Sequence, residues 1–330
     1  MSWLPILMVL VLVLALACLV VGIVLLTRSQ SKKNPIPPPR PGGVTTILII
    51  GDSFTFKNNL PAILQDIMGP SYVIDCYTLP RLNLTKAYAD PVVQNRVING
   101  RYDYVVLQDQ SARCFMSTKK FEQAASDWVD LIKRVGSKPV LFEPWAYAQG
   151  HADMNQGTDK KKSFCYRLYH YKNVPDRAAE LCNDDHVTTT PAKVQAFTLE
   201  EYQSTASDLD DIPIIYVGEA WQSFGDKRED TLFNSCDFKH PNVAGSYFTA
   251  LIIYKFFTGK KASDLPTKGL TFCADCASKT DPSDFPKYYD CCYVPHLNAD
   301  CEGHTNPTVT IPPGQAQYLQ KMADDFVPPS

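Results

Sequence analysis

Thr46-Ile47-Leu48-Ile49-Ile50-Gly51-Asp52-Ser53-Phe54-Thr55 is the stretch on which the fold turns. Five β-branched or aliphatic residues run without interruption into Gly-Asp-Ser. Such a run reads as a strand buried on both faces, and the small polar triplet as the turn that ends it. In an α/β sheet the carboxyl ends of the strands are where chemistry is presented. A serine at that position is either a nucleophile or the cap of the helix that follows, and the choice between them rests on the rest of the chain.

Outward from this stretch the pattern is strand, helix, strand, helix. Further strands are expected at Tyr72–Leu79, Tyr104–Leu107, Pro139–Phe142 and Ile212–Val217, again mostly as continuous apolar runs. Helical periodicity falls near Leu60–Met68, Leu84–Ile98, Lys119–Val135, Leu199–Asp208, Val243–Phe257 and Pro312–Phe326. Alternation of this kind predicts a parallel sheet covered by helices on both sides. Residues 149 to 211 are too many for a simple crossover. An insertion of about 149–198 is therefore expected, beyond the strand at Pro139–Phe142, acting either as a lid or as bulk.

The chain has 330 residues, 45% hydrophobic and 20% charged, which suits a globular domain with a sizeable core. A net charge of −3 shows no basic excess and argues against a nucleic-acid partner. Trp3 to Leu26 contains no charged residue and is followed by Arg28, Lys32 and Lys33. About 20 apolar residues cross a bilayer, so residues 1–28 are expected to be a membrane anchor, with a cleaved signal sequence as the alternative. Residues 29–44, with Pro35, Pro37, Pro38, Pro39 and Pro41, form a semi-rigid spacer.

The basic flank by itself would leave the body of the protein in the cytosol. Cysteine usage points the other way. Eleven cysteines occur, and with Cys18 inside the apolar run ten remain in the body, an even number that suggests disulfides and an oxidising compartment. Asn83-Leu84-Thr85 is a glycosylation sequon. The expectation is thus a single-pass or secreted glycoprotein whose main domain is lumenal or extracellular.

Asp237 and His240 stand three residues apart in a loop before the helix at Val243. An imidazole that takes a serine proton, held in its tautomer by a carboxylate, is what a serine hydrolase needs. One short turn can supply both groups to Ser53.

Gly51-Asp52-Ser53 after a first strand, with Asp237-Phe238-Lys239-His240-Pro241 late in the chain, resembles the SGNH (GDSL-like) hydrolase superfamily. Ser53-Phe54-Thr55 with Asn58-Asn59-Leu60-Pro61, Tyr104 through Ser111, Glu143 through Tyr147, Val217 through Trp221 and Gly245-Ser246-Tyr247 resemble one branch of it. The resemblance covers about residues 45 to 262. It implies a three-layer α/β/α flavodoxin-like fold, with Ser53 as nucleophile, His240 as general base and Asp237 as its orienting carboxylate. It implies acyl transfer through a serine ester, with no metal or cofactor, on a small-molecule or glycan ester such as O-acetylated carbohydrate. The same acyl-serine would equally serve an O-acyltransferase, and a non-catalytic binding module on an anchored stalk is a third reading.

The oxyanion-stabilising residues depart from the family pattern. The family supplies the serine N–H, a glycine N–H from a second block and an asparagine side chain from a third. Here the second block reads Leu79-Pro80-Arg81-Leu82-Asn83, so the backbone donor falls to Arg81 or Leu82. In the third block glutamine replaces asparagine, with Gln110 the better fit and Gln108 the second. Asp52 reads as a structural partner within the turn. Arg113 and Lys239 flank the site as solvated charges or as attractors of an anionic substrate. Trp145 and Trp221 lie just past strand ends, where a ring either lines a sugar cleft or packs into the core.

Residues 263–330 carry Cys273, Cys276, Cys291, Cys292 and Cys301, with His296 and His304 nearby. The spacing matches no regular zinc finger, so a disulfide-stapled appendage is expected in place of a metal site.

Overall fold

The computed structural model describes residues 43–151, 153–154, 161, 163–171, 180–234, 237–267, 271–273 and 308–329. The expected N-terminal span, nearly all of the linker, Cys236 and most of the cysteine-rich stretch lie outside these residues. Among the described residues no helix is long and apolar enough to cross a membrane.

The chain forms β1 (Thr45–Gly51), the short α1 (Ser53–Phe56), α2 (Leu60–Met68), β2 (Tyr72–Thr78), α3 (Leu84–Ala89), α4 (Pro91–Gly100) and β3 (Tyr104–Leu107). It continues through α5 (Arg113–Met116), α6 (Thr118–Arg134), β4 (Lys138–Glu143), α7 (Phe164–Tyr171), α8 (Pro191–Asp208) and β5 (Ile214–Tyr216). The rest comprises α9 (Val217–Gln222), α10 (Arg228–Thr231), α11 (Val243–Thr258), a small antiparallel pair β6 (Thr271–Cys273) and β7 (Thr308–Thr310), and α12 (Pro313–Asp325).

Five strands form one parallel sheet in the order β2-β1-β3-β4-β5. Helices α2, α11 and α12 lie on one face, and α3, α6 and α8 on the other. β1 has neighbours on both edges, with Ile47 opposite Ile74 on one side and Tyr104 on the other. Its side chains Ile47, Leu48, Ile49 and Ile50 are wholly buried, which is why this strand reads as a continuous apolar run instead of an alternating one. The chain leaves β1 for β2 on one side and then crosses back over β1 to β3 on the other, so the carboxyl ends of β1 and β3 flank a topological switch point, where such sheets open a crevice.

Three expected elements differ in extent. The periodicity of Leu84–Ile98 belongs to two helices, because Asp90 accepts from the Val92 N–H and Pro91 opens a new first turn. The crossover helix expected near Leu199 starts at Pro191, capped by the Thr190 side chain. The last strand shortens to Ile214–Tyr216.

The tail beyond residue 262 does not all stand apart as an appendage. Helix α12 buries Ala316, Leu319, Gln320 and Ala323, and Gln320 donates to the Tyr247 hydroxyl of α11. Within the insertion, a disulfide joins Cys165 to Cys182.

Candidate active site

β1 delivers Ser53 through a turn whose conformation is fixed by side chains. The Asp52 carboxylate caps α1 by accepting the Phe54 N–H at 3.0 Å. Gln108, at the end of β3, accepts from the Asp52 N–H at 2.8 Å and from the Thr55 hydroxyl at 2.9 Å, and donates to Asp52 Oδ1 at 3.0 Å. Gly51 is required here, because a Cβ on it would lie 2.6 Å from Gln108 Oε1. Burial raises the Asp52 carboxyl above its ordinary value against these hydrogen bonds and the charges of Lys239 and His240. Asp52 is thus a turn residue, as its sequence context suggests.

The helix start continues the lock. Asn58 and Asn59 both adopt left-handed backbone, at φ 53° and 54°. The Asn58 amide donates to Pro241 O at 3.1 Å and to Ser246 Oγ at 2.8 Å, and Ser246 Oγ reaches Lys57 O at 3.2 Å. These bonds tie the serine loop to the histidine loop across more than 180 residues of sequence separation. Neither Asn58 nor Ser246 has an evident role in the sequence alone. Their only signal is that both fall in blocks repeated across the family pattern.

The histidine turn is built on its own carboxylate. Asp237 Oδ1 accepts from the backbone N–H groups of Lys239 and His240, each at 3.0 Å, while Oδ2 lies 2.6 Å from His240 Nδ1. Phe238 takes the left-handed φ of 55° that this tight turn demands. His240 Nε2 then lies 2.9 Å from Ser53 Oγ. Burial works against ionisation of Asp237, but the His240 ring, its charge and the two N–H donors outweigh it and hold the carboxyl well below the usual carboxylate range. An ionised Asp237 on Nδ1 keeps that proton in place and leaves Nε2 to receive one from Ser53. Ser53, His240 and Asp237 are therefore brought together as the sequence reading required.

The candidate oxyanion donors separate. The Ser53 N–H has no acceptor among the described residues, so it is available. After β2, Leu82 N–H donates to Leu79 O at 3.1 Å, closing a β-turn with Pro80 second and Arg81 third. Arg81 has φ 58°, the left-handed value that a glycine would take without strain. That turn consumes the Leu82 N–H and leaves the Arg81 N–H without an acceptor among the described residues.

Gln108 is no donor to a substrate: it is buried and both ends of its amide are engaged in the serine turn. Its place two residues before Gln110 in the same block made it a sequence candidate, and its partners 53 and 56 residues away explain why it is excluded. Gln110 is half-buried and its amide makes one long bond of 3.4 Å, to Ser111 Oγ. Between them Asp109 accepts from the Leu84 and Gln110 N–H groups through a single oxygen, fixing the second block to the third. Burial pushes the Asp109 carboxyl up to about 7, against those two N–H groups and Arg113.

The aromatic residues settle in the core. Phe54, Trp145 and Trp221 form a continuous stack, with ring centres 4.1 and 4.0 Å apart, and both tryptophans are wholly buried. Trp145 Nε1 donates to Lys239 O and Trp221 Nε1 to Thr249 Oγ1, both at 3.1 Å. They support the turns and line no cleft. Glu143, buried at the end of β4, holds α9 by accepting from the Glu219 N–H and from Gln195. Arg113 reaches Thr85 at 3.4 Å, and Lys239 sits over the Tyr147 ring at 4.8 Å instead of in solvent. The insertion begins against the histidine turn, where Ala148 N–H donates to Phe238 O at 2.9 Å. Among the described residues no group of three or more His, Cys, Asp or Glu is arranged to hold a metal. The histidines and most of the cysteines of residues 263–330 lie outside them.

The five-stranded order, the serine turn after β1 and the histidine turn before α11 together give the fold of the SGNH hydrolases. A protein from Slackia heliotrinireducens described as a candidate SGNH hydrolase superposes with a TM-score of 0.51 at 18% identity, over 65% of this chain and 99% of its own. A DUF4886 family protein from Bacteroides uniformis superposes with a TM-score of 0.53 at 13% identity, over 85% of this chain and 93% of its own. The chain matches no family model and no curated protein.

Proposed function

We propose that this protein is a serine esterase that removes O-acyl groups through an acyl-serine intermediate. The observation that carries this reading is the continuous chain from Asp237 Oδ2 to His240 at 2.6 Å and from His240 Nε2 to Ser53 Oγ at 2.9 Å. In the first step Ser53 Oγ attacks the ester carbonyl carbon while His240 Nε2 takes its proton. The tetrahedral oxyanion meets the N–H groups of Ser53 and Arg81 and the side-chain amide of Gln110. His240 passes the proton to the leaving alcohol, and the C–O bond of the substrate breaks. Water, deprotonated by the same Nε2, then attacks the acyl-serine, and the acid leaves as Ser53 recovers its proton.

The substrate class is proposed as O-acetylated carbohydrate, on the strength of the family resemblance and of an extracellular or lumenal setting. The Cys165–Cys182 disulfide and the number of cysteines in the body support that setting. Incubation with 4-nitrophenyl acetate and with acetylated sugars tests the reaction. The expected result is free acetate released by the wild type and none above background by Ser53→Ala. Acetyl transfer to an added sugar in preference to water would replace the hydrolase reading with a transferase.

A further inference from the structure

The proposed third-block donor is a glutamine, one carbon longer than the asparagine it replaces, and a longer side chain has one more torsion to fix. We infer that Ser111 and Tyr147 are positioning residues that hold the Gln110 amide for the oxyanion, a role that rests on the esterase reading above. Tyr147 Oη lies 2.8 Å from Ser111 Oγ, and Ser111 Oγ lies 3.4 Å from Gln110 Nε2. Ser111 and Tyr147 are both buried, so neither hydroxyl exchanges its partner for bulk water.

Lys239 packs against the far end of the chain. Its ammonium sits over the Tyr147 ring, 4.8 Å from the centre. There the ammonium meets the π face of the ring, and the phenol oxygen shares its hydrogen bond with Ser111 Oγ, in which either oxygen can donate. Ser111 Oγ accepts one N–H of the Gln110 amide, so the Tyr147 hydroxyl fixes the rotamer of the group that holds that amide. The second N–H of the same amide is left to face the substrate.

The elements at each end explain why the chain belongs to the site. Lys239 immediately precedes His240, Tyr147 packs its ring edge-on to Phe54 at 6.2 Å, and Gln110 shares its loop with the serine-turn clamp Gln108. His151, from the start of the insertion, also packs on Tyr147, with ring centres 4.6 Å apart. Its Nδ1 accepts the Asp153 N–H at 3.0 Å. Hydrogen bonds thus connect the chain to the third block, and packing connects it to the serine turn.

The test is a set of kcat and KM measurements on 4-nitrophenyl acetate for Gln110→Ala, Tyr147→Phe, Ser111→Ala, Ser111→Thr and the doubles with Gln110→Ala. Loss of a donor of this kind lowers kcat by about 10²-fold, and that is expected for Gln110→Ala. Tyr147→Phe and Ser111→Ala should each lose about tenfold in kcat with KM within about twofold, while Ser111→Thr, which keeps the hydroxyl, stays near wild type. In the Gln110→Ala background neither Tyr147→Phe nor Ser111→Ala should lower kcat further, because both act through the missing amide. Multiplying effects in the doubles, or single variants at wild-type rate, overturn the inference while leaving the esterase standing. Absence of any Ser53-dependent hydrolysis by the wild type overturns the esterase reading, and this inference with it.

Discussion

The two sides of the site are held in different ways. On the proton-transfer side, the turn at Asp52–Phe54 and the turn at Asp237–His240 are each closed by their own carboxylate and then tied to other elements by Gln108, Asn58 and Ser246. On the oxyanion side, the turn after β2 is closed by one backbone bond, Leu82 to Leu79, and is tied outward by Leu79 N–H to Gly51 O and by the Asp109 carboxylate that grips Leu84. The difference follows from the chemistry. Proton transfer from Ser53 to His240 needs two side chains at hydrogen-bond distance, and each added constraint on those side chains removes unproductive rotamers. An oxyanion can be met by backbone N–H groups, whose direction a single turn already fixes.

The largest way to break the contrast is at Asp237. Asp237→Asn keeps the shape of the turn but replaces the acceptor that sets the His240 tautomer. A fall in kcat of about 10³–10⁴-fold is expected. Because the Asp237 carboxyl is held below its unfolded value of 3.8, it contributes stability above that value which is lost as pH falls through its folded pKa. Acid melting curves of the wild type should therefore lose an increment that those of the variant lack.

Gln108→Ala should be next. It leaves the buried Asp52 N–H and Thr55 hydroxyl without their acceptor, which costs about 1–3 kcal/mol per stranded group. A lowered melting temperature and lowered activity should appear together. Gln110→Ala should lower activity alone, because its amide makes only the long bond to Ser111. Thermal melts on both variants check the distinction between a clamp and a donor placed two residues apart.

The smallest effect is expected at Asp109. Burial raises this carboxyl to about 7 from its ordinary 3.8. The folded state therefore binds a proton that the unfolded state has released, and the stability associated with this group falls as pH rises from about 4 through about 7. Asp109→Asn keeps an oxygen for the Leu84 and Gln110 N–H groups and removes the charge. It should melt a few degrees higher than the wild type at pH 8, with the gap closing by pH 5. An equal gap at both pH values would show that charge burial is not the cause.

Much of the fold is legible in the residues because parallel strands buried on both faces must be apolar throughout. Ile47–Ile50 and Tyr104–Leu107 satisfy that requirement in sequence and in space. The break between α3 and α4 was also written in the chain, since Asp90-Pro91 supplies a cap and a first-turn proline, but the apolar periodicity runs through it. Ser53, His240 and Asp237 could be found because a triad needs particular residue types in turns at strand and helix ends. The roles of Gln108 and Gln110 could not be separated that way. Both are amides in one loop, and only the approach of Asp52 and Thr55 from a neighbouring strand distinguishes the clamp from the free end. Trp145 and Trp221 pose the same problem, because a ring beyond a strand end can turn inward or outward, and the stack on Phe54 decides it.

In the proposed reaction everything depends on His240 making Ser53 a nucleophile. Peptide mass spectrometry after incubation with a fluorophosphonate tests it most directly. One adduct is expected, on the peptide containing Ser53, absent from Ser53→Ala and strongly slowed in His240→Ala. No adduct on the wild type, or equal labelling of Ser53→Ala, would contradict it.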